Sequence, residues 1–194
     1  MKKHDLSNID VMRRKDRQVQ DDQWIIDFIS QAEFGTLATV YEDQPFLTMT
    51  MFVYDKETHS IYLHTSKQGR LFSNVQQFQK VCFSYGTLGR LLPAKNARNF
   101  SNEYKSVVVF GTCEVMTDLK DARDKMHLLI EKYFPHLKRD EDYKAITKLE
   151  IEEIAVFKIS IDSWTAKVKD AEPDFPGAFL FSDISKLKND STDN

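Results

Sequence analysis

Apolar and polar positions alternate with two different periods along this chain, and the switches between them mark out its elements. From Asp21, the residues Trp24, Ile25, Phe28, Ile29 and Ala32 recur at the spacing of one helix face, with Asp21 or Asp22 available as a cap and Gly35 ending the run. Thr36 to Tyr41 and Phe46 to Tyr54 are β-branched and apolar, which predicts two strands joined by a polar turn at Glu42-Asp43-Gln44-Pro45. A turn over Asp55 to Thr58 leads into a strand from Ser60 to Thr65, and a helix from about Gly69 to Gln79 carries Phe72, Val75 and Phe78 on one side. Val81 to Tyr85 predicts a further strand. Leu88 to Glu103, with Gly89, Pro93 and three asparagines, predicts a long loop. Lys105 to Met116 is the longest strand pattern, with Gly111 as a bulge or a point of close approach. Asp118 can cap a helix from Leu119 to Phe134 that Pro135 terminates, its apolar stripe being Met126, Leu129, Ile130 and Phe134. A shorter helix is expected around Tyr143 to Leu149, and Ile154 to Ile161 alternates as a last strand leading to Trp164 and Lys167.

Six strands, mostly joined as hairpins and covered by a few helices, predict a mainly β (α+β) fold, a small antiparallel barrel whose closure removes exposed edges. Repeated βαβ units are absent from this order, and none of the six glycines forms G-x-G-x-x-G, so a doubly wound dinucleotide fold is not expected. The organisation reads as an N-terminal arm over residues 1–12, one domain over 13–170 and a tail over 171–194. In that tail Phe175, Phe179, Leu180 and Phe181 could dock on a partner surface, while Lys188 to Asn194 is wholly polar.

Composition narrows the function classes. A length of 194 residues with 41% hydrophobic, 12% aromatic and 29% charged residues describes an ordinary soluble globular chain, and a net charge of −3 leaves no electrostatic footprint for nucleic acid. The charged run Arg13 to Arg17 reads as a solvated arm. Nowhere does the run of about 18 apolar residues needed for a membrane span occur, and Met1-Lys2-Lys3 is followed by no apolar leader, so the cytoplasm is the expected location. Cys82 and Cys113 lie within strand patterns with no Cys/His ligand spacing, and His127 and His136 lack a second ligand at helical spacing, so no metal site is expected. No Ser/His/Asp or Cys/His arrangement marks a nucleophile, so redox chemistry would need a cofactor.

The stretch Ile61 to Val81 carries the most chemistry. An apolar strand runs into His64-Thr65-Ser66, then a short loop, Gly69-Arg70 and a helix. First-turn N–H groups are unpaired and lie at the positive end of the helix dipole, so a phosphate there gains hydrogen bonds, and Arg70 can add a forked contact. The alternative is that His64, Thr65 and Ser66 only end a strand and cap a helix.

Taken together, Met12-Arg13-Arg14 with Asp16-Arg17, Gly35-Thr36-Leu37-Ala38-Thr39, Pro45-Phe46 through Phe52-Val53-Tyr54, His64-Thr65-Ser66, Gly69-Arg70, Val81-Cys82-Phe83, Tyr104-x-Ser106-Val107 and Phe110-Gly111 stand in one order. In that order the chain resembles the FMN-binding split-barrel proteins related to pyridoxamine phosphate oxidase, specifically the nitroimidazole-resistance branch, over roughly Val11 to Lys167. The resemblance implies a six-stranded split barrel and a homodimer with FMN at the subunit interface. Thr48, Met49, Thr50, Met51 and Phe52 would border the isoalloxazine ring, and His64 and Thr65 would meet the ribityl-phosphate end, with Ser66 also among the cofactor-binding residues. Gly69 and Arg70 would form the phosphate clamp, and Ser106 would be a contact from the other subunit. Trp164 and Lys167 align near the cofactor mouth. Leu71 stands where the family commonly has lysine, so one phosphate charge partner is missing unless Lys67 or the Arg13-Arg14 arm substitutes. Met49 replaces a common proline and could pack on a flavin face. The implied activity passes electrons from reduced flavin to a small flat acceptor such as a nitroaromatic, with NAD(P)H as a transient donor. The alternatives are a flavin-binding or flavin-sensing module without turnover, or a heme-binding relative.

Overall fold

The computed structural model describes residues 9–185. The expectations for residues 1–8 of the arm and 186–194 of the tail lie outside the described residues. In chain order the elements are β1 (Gln18–Val19), α1 (Asp22–Gln31), β2 (Gly35–Tyr41), β3 (Gln44–Thr50), β4 (Val53–Asp55), β5 (Ser60–Ser66), α2 (Arg70–Gln77), β6 (Lys80–Leu92), β7 (Ser101–Val115), α3 (Leu119–Tyr133), α4 (Lys148–Glu153) and β8 (Ile154–Lys169). The strands are hydrogen-bonded in the order β3-β2-β6-β7-β8-β5-β4, with β1 paired to β8.

This is the expected antiparallel sheet with flanking helices, a split barrel, with two corrections. The strands among the described residues number eight, not six, and the sheet path is open, ending at β3 and β4. The run from Phe46 to Tyr54 is broken at Met51-Phe52 into β3 and β4, and β1 is too short to leave a periodic signal.

The chain divides into two compact units, and β6, β7 and β8 each contribute residues to both. One unit comprises Asp22–Tyr85 and Val108–Trp164. Its β2–β3 hairpin is tighter than expected: the turn is Glu42-Asp43 alone, with φ of 47° and 63°, the left-handed pair that matches strand twist. Pro45 falls inside β3 opposite Val40, where a missing donor costs no ladder bond because β3 ends the sheet. The core gathers Leu37, Phe52, Phe83, Phe157, Ile61, Leu63 and Ile159, all fully buried, each worth about 1.5–3 kcal/mol of apolar burial. Gly35 is required here, since a Cβ at that position would lie 2.0 Å from the Phe83 ring. Gly111 makes the expected close approach, a Cβ there meeting the Ser160 carbonyl at 2.4 Å. Asp118 caps α3, accepting from the N–H groups of Lys120 and Asp121. The next helix starts later than expected, at Lys148, because Thr147 and Glu150 form a reciprocal capping box. Asp22 opens α1, and its carboxylate accepts from the Trp164 indole at 2.9 Å.

The other unit comprises the described residues up to Asp21, Gly86–Val107 and those from Thr165 on. The expected loop from Leu88 to Glu103 is strand at both ends: β6 runs to Leu92 and β7 starts at Ser101. A side-chain clamp explains it. Arg90 forks onto Glu103, Nε to Oε2 at 2.9 Å and Nη2 to Oε1 at 2.6 Å, while the Arg90 N–H reaches Oε2 at 3.1 Å. The remaining Arg90 donors reach the carbonyls of Ala171, Glu172 and Pro173, and Ala171 N–H donates to Glu103. The described part of the tail is therefore tied to its own chain. Leu91 and Phe179 exchange backbone hydrogen bonds, while Leu180 and Phe181 stay exposed.

Candidate functional site

The last turn of β5 and the start of α2 build the phosphate-sized corner that the sequence singles out. Ser60 to Leu63 are buried, and His64 and Thr65 are half-buried as the strand leaves the core. The Thr65 hydroxyl donates to the Ser66 carbonyl at 2.8 Å, and the Ser66 hydroxyl accepts from the Gln68 N–H at 3.1 Å, a local turn that shapes the loop. These two side chains thus shape the loop itself. Gly69 precedes α2 with φ −175°, a conformation open to any residue, and no side chain caps the helix. Nothing lies within 4 Å of a Cβ built at Gly69, so the helix start is approachable.

Arg70 sits at that start. Its guanidinium lies 4.9 Å from the Phe46 ring centroid and 5.3 Å from that of Tyr41, both on the β2–β3 hairpin. Among the described residues no carboxylate pairs with it. Stacking on two rings orients a planar fork without consuming its donors. Leu71, by contrast, is only 5% exposed and packs inward with Val75 and Asn74. Of the proposed substitutes for a second cation, Lys67 donates to the Glu152 carbonyl, and in the Arg13-Arg14 arm Arg14 is forked onto Asp16. His64 keeps Nδ1 buried and unpartnered, and burial pushes its imidazole below the ordinary histidine range, so it is neutral near pH 7.

The β3 residues divide by face. Leu47 and Met49 are 71% and 67% exposed, an apolar stripe on an end strand, whereas Thr48 and Thr50 are half-buried. Met51 packs partly against Val53, Tyr62 and Leu129. Phe52 is fully buried, edge-on to Phe83 at 4.6 Å, so its side chain belongs to the core rather than to a ligand surface. Ser106 is half-buried on β7 and belongs to the unit that also holds Lys167. Trp164 belongs to the other unit, its ring 4.7 Å from His59.

Two residues that the sequence reading passed over meet the chain where β3 gives way to β4. Lys132 donates to the carbonyls of Ala32 at 2.7 Å and Phe52 at 2.9 Å, with its ammonium 4.1 Å from the Phe52 ring centroid. The Tyr133 hydroxyl accepts from Phe52 N–H at 3.0 Å and faces the carbonyls of Glu33 at 2.8 Å and Phe52 at 3.1 Å. The available signal was a lysine three residues after the buried Leu129, on the inner side of α3.

Other chemistry is limited. Burial pushes the Cys82 thiol up and that of Cys113 to about 12, so neither is a thiolate near neutrality. Among the described residues no group of three or more His, Cys, Asp or Glu could hold a metal ion, and no helix is long and apolar enough to cross a membrane.

Comparison with known proteins places this geometry. A protein described as a candidate 5-nitroimidazole antibiotic resistance protein from Bacteroides thetaiotaomicron shares 22% identity, over 78% of this chain and 86% of that one, with a TM-score of 0.64. The flavocytochrome Anf3 from Azotobacter vinelandii shares 24% identity over 90% and 78%, with a TM-score of 0.70. An FAD and heme binding protein from Mycobacterium smegmatis shares 20% over 88% and 80%, with a TM-score of 0.72. At these identities the likeness establishes the fold. No curated protein matches the chain. The family model for pyridoxamine 5'-phosphate oxidase matches residues 21–168, a span containing β2 to β7, the α2 corner and most of β8, and by that match the chain belongs to the pyridoxamine 5'-phosphate oxidase family.

Proposed function

We propose that this protein binds FMN as a homodimer and acts as an oxidoreductase in the cytoplasm, passing electrons from reduced flavin to a small flat acceptor such as a nitroaromatic. The carrying observation is Arg70: a guanidinium held over two rings, without a carboxylate partner among the described residues, at an uncapped and approachable helix start. A phosphate at that corner gains a charge-assisted fork and first-turn N–H donors together. His64 serves as a further polar contact, as does Ser106 supplied by the other subunit, the unpartnered His64 Nδ1 being a polar group that a ligand would relieve. The exposed Leu47 and Met49 stripe offers a flat apolar surface to a ring or to the second subunit. The names of the relatives support a flavin. Bound flavin would supply the electron transfer, with NAD(P)H as a visiting donor, while this chain's residues bind and orient it.

A second reading has its own support. One of the similar structures names both FAD and heme, and another is named a flavocytochrome, so a heme or FAD ligand is the competing assignment. Absorbance of the purified protein and mass analysis of the released chromophore separate these. A flavin spectrum with FMN released supports the proposal; a Soret band, or FAD in place of FMN, replaces it. Protein that stays folded and colourless at millimolar FMN removes it. Anaerobic mixing of the yellow protein with NADH or NADPH tests turnover, and failure to bleach moves the assignment to a flavin-binding module.

A further inference from the structure

We propose that Lys132 and Tyr133 are positioning residues for the flavin, clamping the chain at Met51-Phe52 so that the outward stripe of β3 is held at a fixed angle. This inference rests on the flavin reading above. The geometry is specific. Strand pairing with β2 ends at Thr50, and β4 pairing resumes only at Val53, so Met51 and Phe52 have no strand partner. Tyr133 and Lys132 take over that role: between them they satisfy both the N–H and the carbonyl of Phe52. The same two side chains reach Ala32 and Glu33 just past the end of α1. One pair of adjacent residues on α3 thereby fastens three segments to one another, and β3 projects from that fastening with Leu47 and Met49 outward.

The ammonium is a costly choice for such a clamp. Burial pushes the Lys132 amine down to about 8, while two carbonyl acceptors and the faces of Phe52 and Tyr133 favour the cation. The titratable group facing it is Tyr133 on α3, held above its ordinary pKa chiefly by burial, with the charge of Glu33 beyond α1 adding to that rise. Segments β3 and β4 meet it through the Phe52 backbone and ring. Losing the proton removes the attraction to the rings and weakens both carbonyl bonds, so the grip slackens as pH rises through about 8.

The test is FMN titration of the full chain from pH 7 to 9.5 by flavin fluorescence, alongside amide exchange at Phe52 without ligand. For the wild type we expect affinity to fall about tenfold across that range. Lys132→Met, which keeps the stem, should bind about tenfold more weakly at pH 7 and show a flat profile, with thermal stability retained and faster exchange at Phe52. Lys132→Arg should restore most of the affinity. Equal affinity and an unchanged pH profile in Lys132→Met overturn the proposal. Should that variant not fold, Tyr133→Phe decides in its place: faster exchange at Phe52 with weaker binding supports the clamp, and wild-type values in both overturn it. A wild type that binds no FMN at pH 7 instead overturns the flavin reading itself.

Discussion

Two arginines in this chain face opposite fates. Arg90 has its guanidinium committed: a carboxylate fork from Glu103 and three tail carbonyls occupy it, and in return it fixes the β6–β7 strands and the segment after Asp170. Arg70 is oriented just as firmly, by the rings of Tyr41 and Phe46, yet rings leave its donors unused. Both look alike in sequence, each beside a leucine and following a glycine. What a cation is for is read from which of its donors the fold has already engaged.

The largest expected effect that sharpens this contrast comes from the neighbour of Arg70. Leu71→Lys places a second cation on a side chain that points into the core, so it should cost about 3 kcal/mol or more of stability rather than tighten the ligand. Chemical denaturation measures it, and a stable variant with tighter FMN binding would show that the helix turns this position outward. Next comes Arg70→Ala, expected to weaken FMN by about 1.5–3 kcal/mol, roughly tenfold to a hundredfold, with the melting temperature unchanged. Arg90→Ala should do the reverse, lowering the melting temperature; if both variants lose the same property, the contrast fails.

The subtlest effect appears only in acid. The Arg90 guanidinium, helped by the Ala171 and Arg90 N–H groups, holds the Glu103 carboxyl at about 2, below its ordinary 4.5. The folded pKa is depressed, so its contribution is complete above about 4.5 and disappears as pH falls toward 2. Glu103→Gln should flatten the stability curve over that window alone, as read by thermal melts in a pH series. A Gln variant that tracks the wild type throughout would mean the fork adds nothing in solution.

Much of the sheet was legible because half-buried strands alternate and amphipathic helices repeat: Leu37, Phe83 and Ile159 announce an inner face, and Asp118 a helix start. The two ends of the stretch from Leu88 to Glu103 were not legible as strand, because Gly89, Pro93 and three asparagines imitate loop composition and what makes strand of them is a pairing of Arg90 with Glu103 that no local window contains. At the candidate site the same division holds. Arg70 and the open Gly69 could be picked out from a strand–loop–helix pattern. The inward turn of Leu71 depended on how α2 lies, and the closeness of Lys132 to Phe52 joins residues 80 positions apart, a distance over which propensity is silent. The engagement of Lys67 by Glu152 is equally remote in sequence.

The contact between Gly35 and the Phe83 ring limits how this sheet can drift. A methyl group at the first position needs the volume the aromatic already fills, so enlargement there becomes tolerable only after the residue at 83 shrinks. Substitutions at these two places are therefore ordered events: the aromatic must yield first, and a lineage that has not lost it is locked to the smallest amino acid at the head of the strand.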